Sequence, residues 1–329
     1  MAIPDALIPG LRVPVISAPM LLVSNPRLVL ETCRAGAIGS FPAFNTRSTT
    51  EYEDWLYAIE QQRALHDATF AVNLIVGKSN TRLADDLAVT VRHRVPLVIT
   101  SLGADQHVVN AVHDYGGLVF HDVASARHVE IAAKAGVDGL ILLTGGAGGH
   151  TGFLNPFAFL QEARRRFDGA LILSGALSTG SDVAAAVIAG ADLAYMGTRF
   201  IATDEAFADA EYKAMIVAAG SNDVVVTSAM SGNPASFLSA SLRRAGFDPK
   251  ELGLRDPRLT ERPDGQPLRP WKEVWSAGQG VAGIQQVLPA GVLVRQLGED
   301  YTKALVRASG LTMFQAVSHG MSARPGKKI

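Results

Sequence analysis

The chain has 329 residues, 48% of them apolar and 19% charged, and its 30 basic and 31 acidic side chains leave a net charge of −1. This composition excludes a disordered chain, the charge balance excludes a polybasic surface for nucleic acid or membrane, and a single cysteine excludes an internal disulfide framework. The length suits one large domain or two ordinary ones.

The opening stretch MAIPDALIPG lacks a cationic start before an apolar run, so no secretory leader is expected. Apolar runs then recur in chain order: VPVISA near 15, AIGS near 38, FAVNLI near 72, LVITS near 99, GLVFH near 119, GLILL near 141, ALILS near 172 and LAYMG near 195. Their spacing of about 20 to 35 residues matches a strand, a crossover helix and two loops. Runs that are apolar throughout fit parallel strands buried on both faces. Between them lie helical stretches ending in glycine, such as NPRLVLETCRAG and SARHVEIAAKAG. Eight such units predict an α/β fold, a (β/α)₈ TIM barrel, with a doubly wound sheet as the alternative. The stretch 42–68 predicts an insertion with an extra helix pair before strand three. The barrel is expected to occupy 1–204. Residues 205–329 read as a helical extension with a long Pro-rich loop, packed as a cap on the substrate side. Within it, FLSASLRRAGF reads equally as the interface helix of a homodimer or as a plain surface helix. The most apolar segments carry aspartates and fall short of a membrane span, so a cytoplasmic location is expected. The basic tail SARPGKKI reads as a solvated end.

In such barrels the site forms where strands end. Those positions hold Ala18, Pro19 and Met20, then Asn73, Ser101, His121 and Asp122, then TGGAGGHTG at 144–152, and finally Ser174, Gly175, Gly197 and Thr198. Small uncharged residues dominate, which predicts a mouth that admits something flat and bulky. SGALSTGSDV and YMGTRF place glycine beside a hydroxyl residue at the last two strand ends, where backbone N–H groups can hold a phosphate without lysine. Two ordinary βα turns would carry the same residues. TGGAGGHTG breaks the G-x-G-x-x-G pattern, so a Rossmann loop is not supported.

PVISAPM, FAVNLI, AGGHTG, LILSGALSTGSDVAAAVIAGADLAYMGTRFIAT and WSAGQG occur in the order seen in the nitronate monooxygenase family, formerly 2-nitropropane dioxygenases, and the chain resembles that family over most of 13–204 and around 275–297. The resemblance implies an FMN-dependent TIM-barrel oxidoreductase. Gly175, Ala176, Gly197 and Thr198 would hold the FMN phosphate, with Tyr195 and Met196 bordering the pocket. Ala18, Pro19 and Met20 would offer backbone to the isoalloxazine ring and Asn73 an amide. Ser276 and Gln279 match a segment near the flavin. Ser101, His121, Gly148, Gly149 and Ser174 complete the expected cofactor site. Glycines 145, 146, 148 and 149 would make room for the ring and substrate. His150 matches the family's active-site histidine and suits proton transfer near neutrality.

This implies oxidation of alkyl nitronates or nitroalkanes with O2 to carbonyl compounds and nitrite. The same motifs also suit an NAD(P)H:quinone reductase or an FMN-dependent enoyl reductase, and a non-redox barrel enzyme acting on a phosphorylated metabolite uses the same phosphate loops. Many relatives carry lysine at the position of Asp122, and Ala176 replaces a usual glycine. No Cys, His or Asp set has metal-ligand spacing, and Cys33 reads as a buried small residue.

Overall fold

The computed structural model describes residues 3–77 and 79–310. Eight parallel strands form one sheet: β1 (Val15–Ser17), β2 (Gly39–Pro42), β3 (Phe70–Ile75), β4 (Leu97–Ser101), β5 (Leu118–Val123), β6 (Gly139–Leu143), β8 (Ala170–Ser174) and β9 (Leu193–Met196). Their order is β1-β9-β8-β6-β5-β4-β3-β2, and a parallel bridge between Ile16 and Ile38 joins the two ends. Ile38 N–H donates to Val15 O at 2.9 Å and Ser17 N–H to Ile38 O at 2.8 Å, closing the barrel. Each strand lies on one of the eight apolar runs, because burial on both faces leaves no polar alternation.

Helices α1 (Pro26–Ala35), α2 (Thr49–Gln62), α3 (Leu83–Arg92), α4 (Gln106–His113), α5 (Ala126–Lys134), α6 (Pro156–Arg164) and α7 (Gly180–Ile188) provide the crossovers. Their ends are written in the sequence. Asn25 Oδ1 accepts from the N–H groups of Arg27 and Leu28, Pro26 opens α1, and Gly36 stops it at a left-handed φ of 98°. A capping box of Thr179 and Asp182 starts α7. The stretch 42–68 supplies a 3₁₀ turn (Ala43–Asn45) and α2, which is itself the crossover between β2 and β3.

Inside the barrel, Ile16, Ala71, Leu97, Ile99, Phe120, Ile141 and Ile172 pack into a floor. Each strand continues this face one step further along, so the next inward residues form the walls of the mouth.

After β9 comes the short α8 (Thr198–Ile201), then α9 (Ala210–Ala218), strands β10 (Val224–Thr227) and β11 (Ala235–Leu238), α10 (Ser239–Arg244) and a long irregular stretch. The two strands pair antiparallel and were not expected. β11 also pairs with β7 (Gly149–His150), giving a small sheet ordered β10-β11-β7. Helix α11 (Ala290–Ser309) then packs against α7 and α1, the eighth position of the helical ring. The basic tail lies outside the described residues. No helix among the described residues is long and apolar enough to cross a membrane.

The seating of α11 depends on Gly180. A Cβ there would overlap the Leu297 carbonyl and the Tyr301 amide of α11. Gly180→Ala is expected to destabilise the protein by about 1–3 kcal/mol through overpacking, despite alanine's better helix propensity. Urea unfolding checks this; an unchanged or raised midpoint would show that α11 does not bear on α7.

Candidate active site

The C-terminal strand ends enclose a cavity of about 1360 Å³, counting its open mouth. Ala18, Pro19 and Met20 follow β1, Asn73 lies two residues before the end of β3 and Ser101 ends β4, and all five line it. So do Gly148, Gly149 and His150, Ser174, Gly175 and Ala176, and Tyr195, Met196, Gly197 and Thr198. Two expected residues stand apart. His121 is buried outside the cavity, because alternate strand residues face opposite ways: Phe120 points into the barrel, Asp122 lines the cavity, and His121 turns to the other side. Its Nδ1 hydrogen-bonds Thr100 Oγ1 at 2.7 Å, and burial pushes its pKa down to about 4. Gln279 has an exposed side chain and takes part through its backbone, its N–H donating to Gly146 O at 2.9 Å.

The glycine loop serves a purpose beyond the one expected. A Cβ on Gly148 would lie 2.8 Å from both Gly278 N and Thr198 Oγ1, and one on Gly278 would lie 2.5 Å from Gly146 O. The missing side chains therefore let the loop pack backbone to backbone against 277–280. Only Gly149 faces empty space, at a φ of 69°. Its N–H donates to Ser276 Oγ at 2.6 Å, and that hydroxyl donates to Ser236 O at 2.6 Å. Ser276 thus ties the loop to β11, while His150 sits opposite Ala235 in the ladder.

Burial lowers the pKa of His150, so the imidazole is neutral and can accept a proton near pH 7. Asp122 of strand β5, which pairs with β6, lines the same cavity. Its Oδ1 is buried without a hydrogen-bond partner, and burial raises its pKa to about 7. Tyr195 beside it is pushed well above the usual phenol value, first by burial and then by the Asp122 charge. Among the described residues no lysine or arginine lines the cavity, and no cluster of three His, Cys, Asp or Glu residues could hold a metal.

The polar corner between β8 and β9 is built from backbone. Ala176 adopts a left-handed φ of 55°, a glycine-like conformation costing an alanine roughly 1–2 kcal/mol. Its N–H is taken up by Gly146 O at 3.3 Å. The N–H groups of Gly175, Gly197 and Thr198 have no partner among the described residues. Both N–H bonds of the Asn73 amide are engaged, with Ile99 O and Ser101 Oγ each at 3.1 Å, which leaves its Oδ1 as an acceptor.

Among the wall residues from outside the expected set are two aromatic rings from the stretch after β9. Tyr212 of α9 donates to Ser276 O at 2.5 Å, and Trp271 lies against His150 with ring centroids 5.6 Å apart. Trp271 and Trp275 do not form a pair: Trp275 stacks on Tyr212 at 4.9 Å. Asp122 was expected at the mouth beside His121, and counting alternate residues from Phe120 gives the inward place to Asp122 alone.

Comparison with known proteins adds three findings. The sequence model of the family described as nitronate monooxygenase matches residues 78–300. A (3aS,4S,5R,7aS)-5-hydroxy-7a-methyl-1-oxo-octahydro-1H-indene-4-carboxyl-CoA dehydrogenase of Rhodococcus jostii is 30% identical over 71% of this chain and 64% of its own length, and a nitronate monooxygenase of Paraburkholderia phytofirmans is 27% identical over 91% and 96%. The solved nitroalkane oxidase of Streptomyces ansochromogenes superposes with a TM-score of 0.77 at 23% identity, covering 92% of this chain and all of that one, a likeness of fold.

Asp122 makes stability depend on pH. Below the unfolded value of 3.8 both states keep the proton; between there and about 7 only the unfolded chain releases it, so stability falls as pH rises. Asp122→Asn is expected to exceed the wild type at pH 8 by on the order of 2–4 kcal/mol, at about 1.4 kcal/mol per unit, and to match it near pH 4. Denaturant melts at the two pH values decide the matter; a gap that did not change with pH would mean that the carboxyl is solvated.

Proposed function

The chain belongs to the nitronate monooxygenase family of oxidoreductases, and from that footing we propose that it binds FMN at the barrel mouth and oxidises alkyl nitronates, or nitroalkanes first deprotonated by His150, with O2 to a carbonyl compound and nitrite. One observation carries the reading: a neutral, half-buried imidazole faces a cavity with no cation among its described walls and three unpaired backbone donors in one corner.

The residues present fit FMN. Gly175, Gly197 and Thr198 would hold its phosphate through their N–H groups, a mode of anion binding that needs no lysine. Ala176, whose N–H is already used, shapes that turn without donating. Asn73 Oδ1 would accept from the imide N–H of the ring, and Ala18, Pro19 and Met20 would border it with backbone. FMN, when bound, supplies the electron acceptance and the oxygen chemistry.

The protein's own part is proton transfer and placement. His150 takes the proton from the carbon bearing the nitro group, and the electron pair left behind makes the nitronate. The imidazolium so formed faces that anion in a cavity whose other titratable wall residues are Asp122, Tyr195 and Tyr212. Residues 205–289 cover the substrate side through Trp271 and Ser276.

A second reading has support from the Rhodococcus jostii relative, named for a CoA thioester. The carbon next to a thioester carbonyl is also acidic, so the same base would serve a dehydrogenase.

Anaerobic mixing of the FMN-loaded protein with ethyl nitronate is expected to change its visible spectrum. A response to NADH or an acyl thioester and none to any nitronate would overturn the nitronate reading. His150→Gln should lower kcat/KM for neutral nitroalkanes by roughly 10²–10⁴-fold, the usual worth of a positioned base. It should spare preformed nitronates, which need no deprotonation, and equal losses on both would remove His150 from that role. A methyl at Gly197 would meet only Ala18 and Met20, at 3.6 Å or more. Gly197→Ala should therefore melt like the wild type without FMN while binding FMN about tenfold more weakly, a loss of about 1.4 kcal/mol; unchanged affinity would place the phosphate elsewhere.

A further inference from the structure

Trp271 lies in an irregular segment, 121 residues beyond His150 and with no regular element of its own, yet its backbone is held in a costly shape. Its φ is 70°, which is left-handed and disfavoured for a bulky side chain. A tight turn imposes it: Trp271 N–H donates to Val274 O at 3.1 Å, Pro270 bridges Val274, and Arg269 N–H is held by Glu273 Oε2 at 2.7 Å. The indole that results is stacked on buried Phe237, with centroids 5.1 Å apart and planes 28° apart, and meets the His150 ring edge to face at 71°. Strand pairing explains the arrangement. His150 is opposite Ala235, and Phe237, two residues further along β11, shares the face of Ala235. The indole spans both rings and lines the cavity.

We propose that Trp271 is a positioning residue that excludes water from His150 and so keeps the imidazole neutral and aimed into the cavity. The contact leaves the ring few orientations, and the indole takes the place of water that would solvate the charged form; any attraction of the imidazolium to the indole π-system works against this displacement and is smaller than it. The lowered pKa of His150, whose one cause is burial, agrees with this cover. The titratable groups that share the cavity with the imidazole from other elements are Asp122 of β5, Tyr195 of β9 and Tyr212 of α9. β11 offers none, Lys272 is exposed, and Glu273 is held within its own turn. Of the cavity groups, Asp122 alone titrates near neutrality, so it must be removed before the effect of Trp271 can be read.

The inference rests on the preceding reading only for its kinetic consequence. Proton NMR titration of His150, assigned by its loss in His150→Gln, measures it directly in FMN-loaded protein carrying Asp122→Asn. Trp271→Ala is expected to raise the midpoint by about 0.5–1 unit toward the ordinary value of ~6.5, and Trp271→Phe to leave it near the parent. In the proposed reaction the acid limb of kcat/KM for nitroalkanes should move to higher pH by the same amount. If the alanine variant does not fold, Trp271→Gln keeps most of the volume, presents a polar edge and is expected to give the same upward shift. An unshifted midpoint in a folded Ala or Gln variant, even with a lower melting temperature, overturns the proposal. A shifted midpoint in a protein that turns over no nitroalkane upholds it and overturns the nitronate reading instead.

Discussion

The site depends on one short relay of hydrogen bonds: Gly149 N–H to Ser276 Oγ, and Ser276 O–H to Ser236 O. A loop of glycines has almost no side chains with which to fix its own path, and glycine carries the largest conformational freedom to be lost. The order must come from outside. It comes from a segment more than a hundred residues away, which lays its own glycine, Gly278, against Gly146 and Gly148. The antiparallel pairing of Gly149 and His150 with β11 extends the same hold to the imidazole. The barrel thus supplies the ring of strand ends, and the stretch after β9 supplies the clamp.

The electrostatics follow from that construction. Walls made of backbone and apolar side chains exclude charge, so the ionisable groups that face the cavity shift toward their neutral forms: the imidazole down, the Asp122 carboxyl and the Tyr195 phenol up. A neutral base in one cavity with N–H groups that no protein acceptor takes up is suited to handling a proton and an oxyanion-bearing substrate without a permanent cation. In the proposed reading, the backbone donors at Gly175, Gly197 and Thr198 would take the place that lysine or arginine fills in more conventional anion sites.

Much of this was legible in the residues. Eight apolar runs mark the eight strands because double burial removes polar alternation, and the helix ends are legible at Asn25, Thr179 and Gly36 because caps are local chemistry. His150 stood out against its glycines. The failures have physical causes too. His121 and Asp122 are neighbours, and only the pleat, counted from Phe120, decides which one sees the cavity. The strands β10 and β11 are four residues each, and β11 takes a two-residue partner from the glycine loop, a pairing that no local period announces. Trp271 lies in a Pro-rich stretch whose shape comes from turn hydrogen bonds rather than from propensity. Nor does anything in the sequence of α11 say that it belongs between α7 and α1.

That last placement carries a consequence for biosynthesis. The gap in the outer wall between α7 and α1 is filled by residues 290–309, so the ribosome must release the chain through that helix before the outer ring can be completed. Until then the apolar flanks of the first and seventh helices stay open to water, and a nascent chain that pauses after its eighth strand would present them to whatever chaperone stands at the exit tunnel.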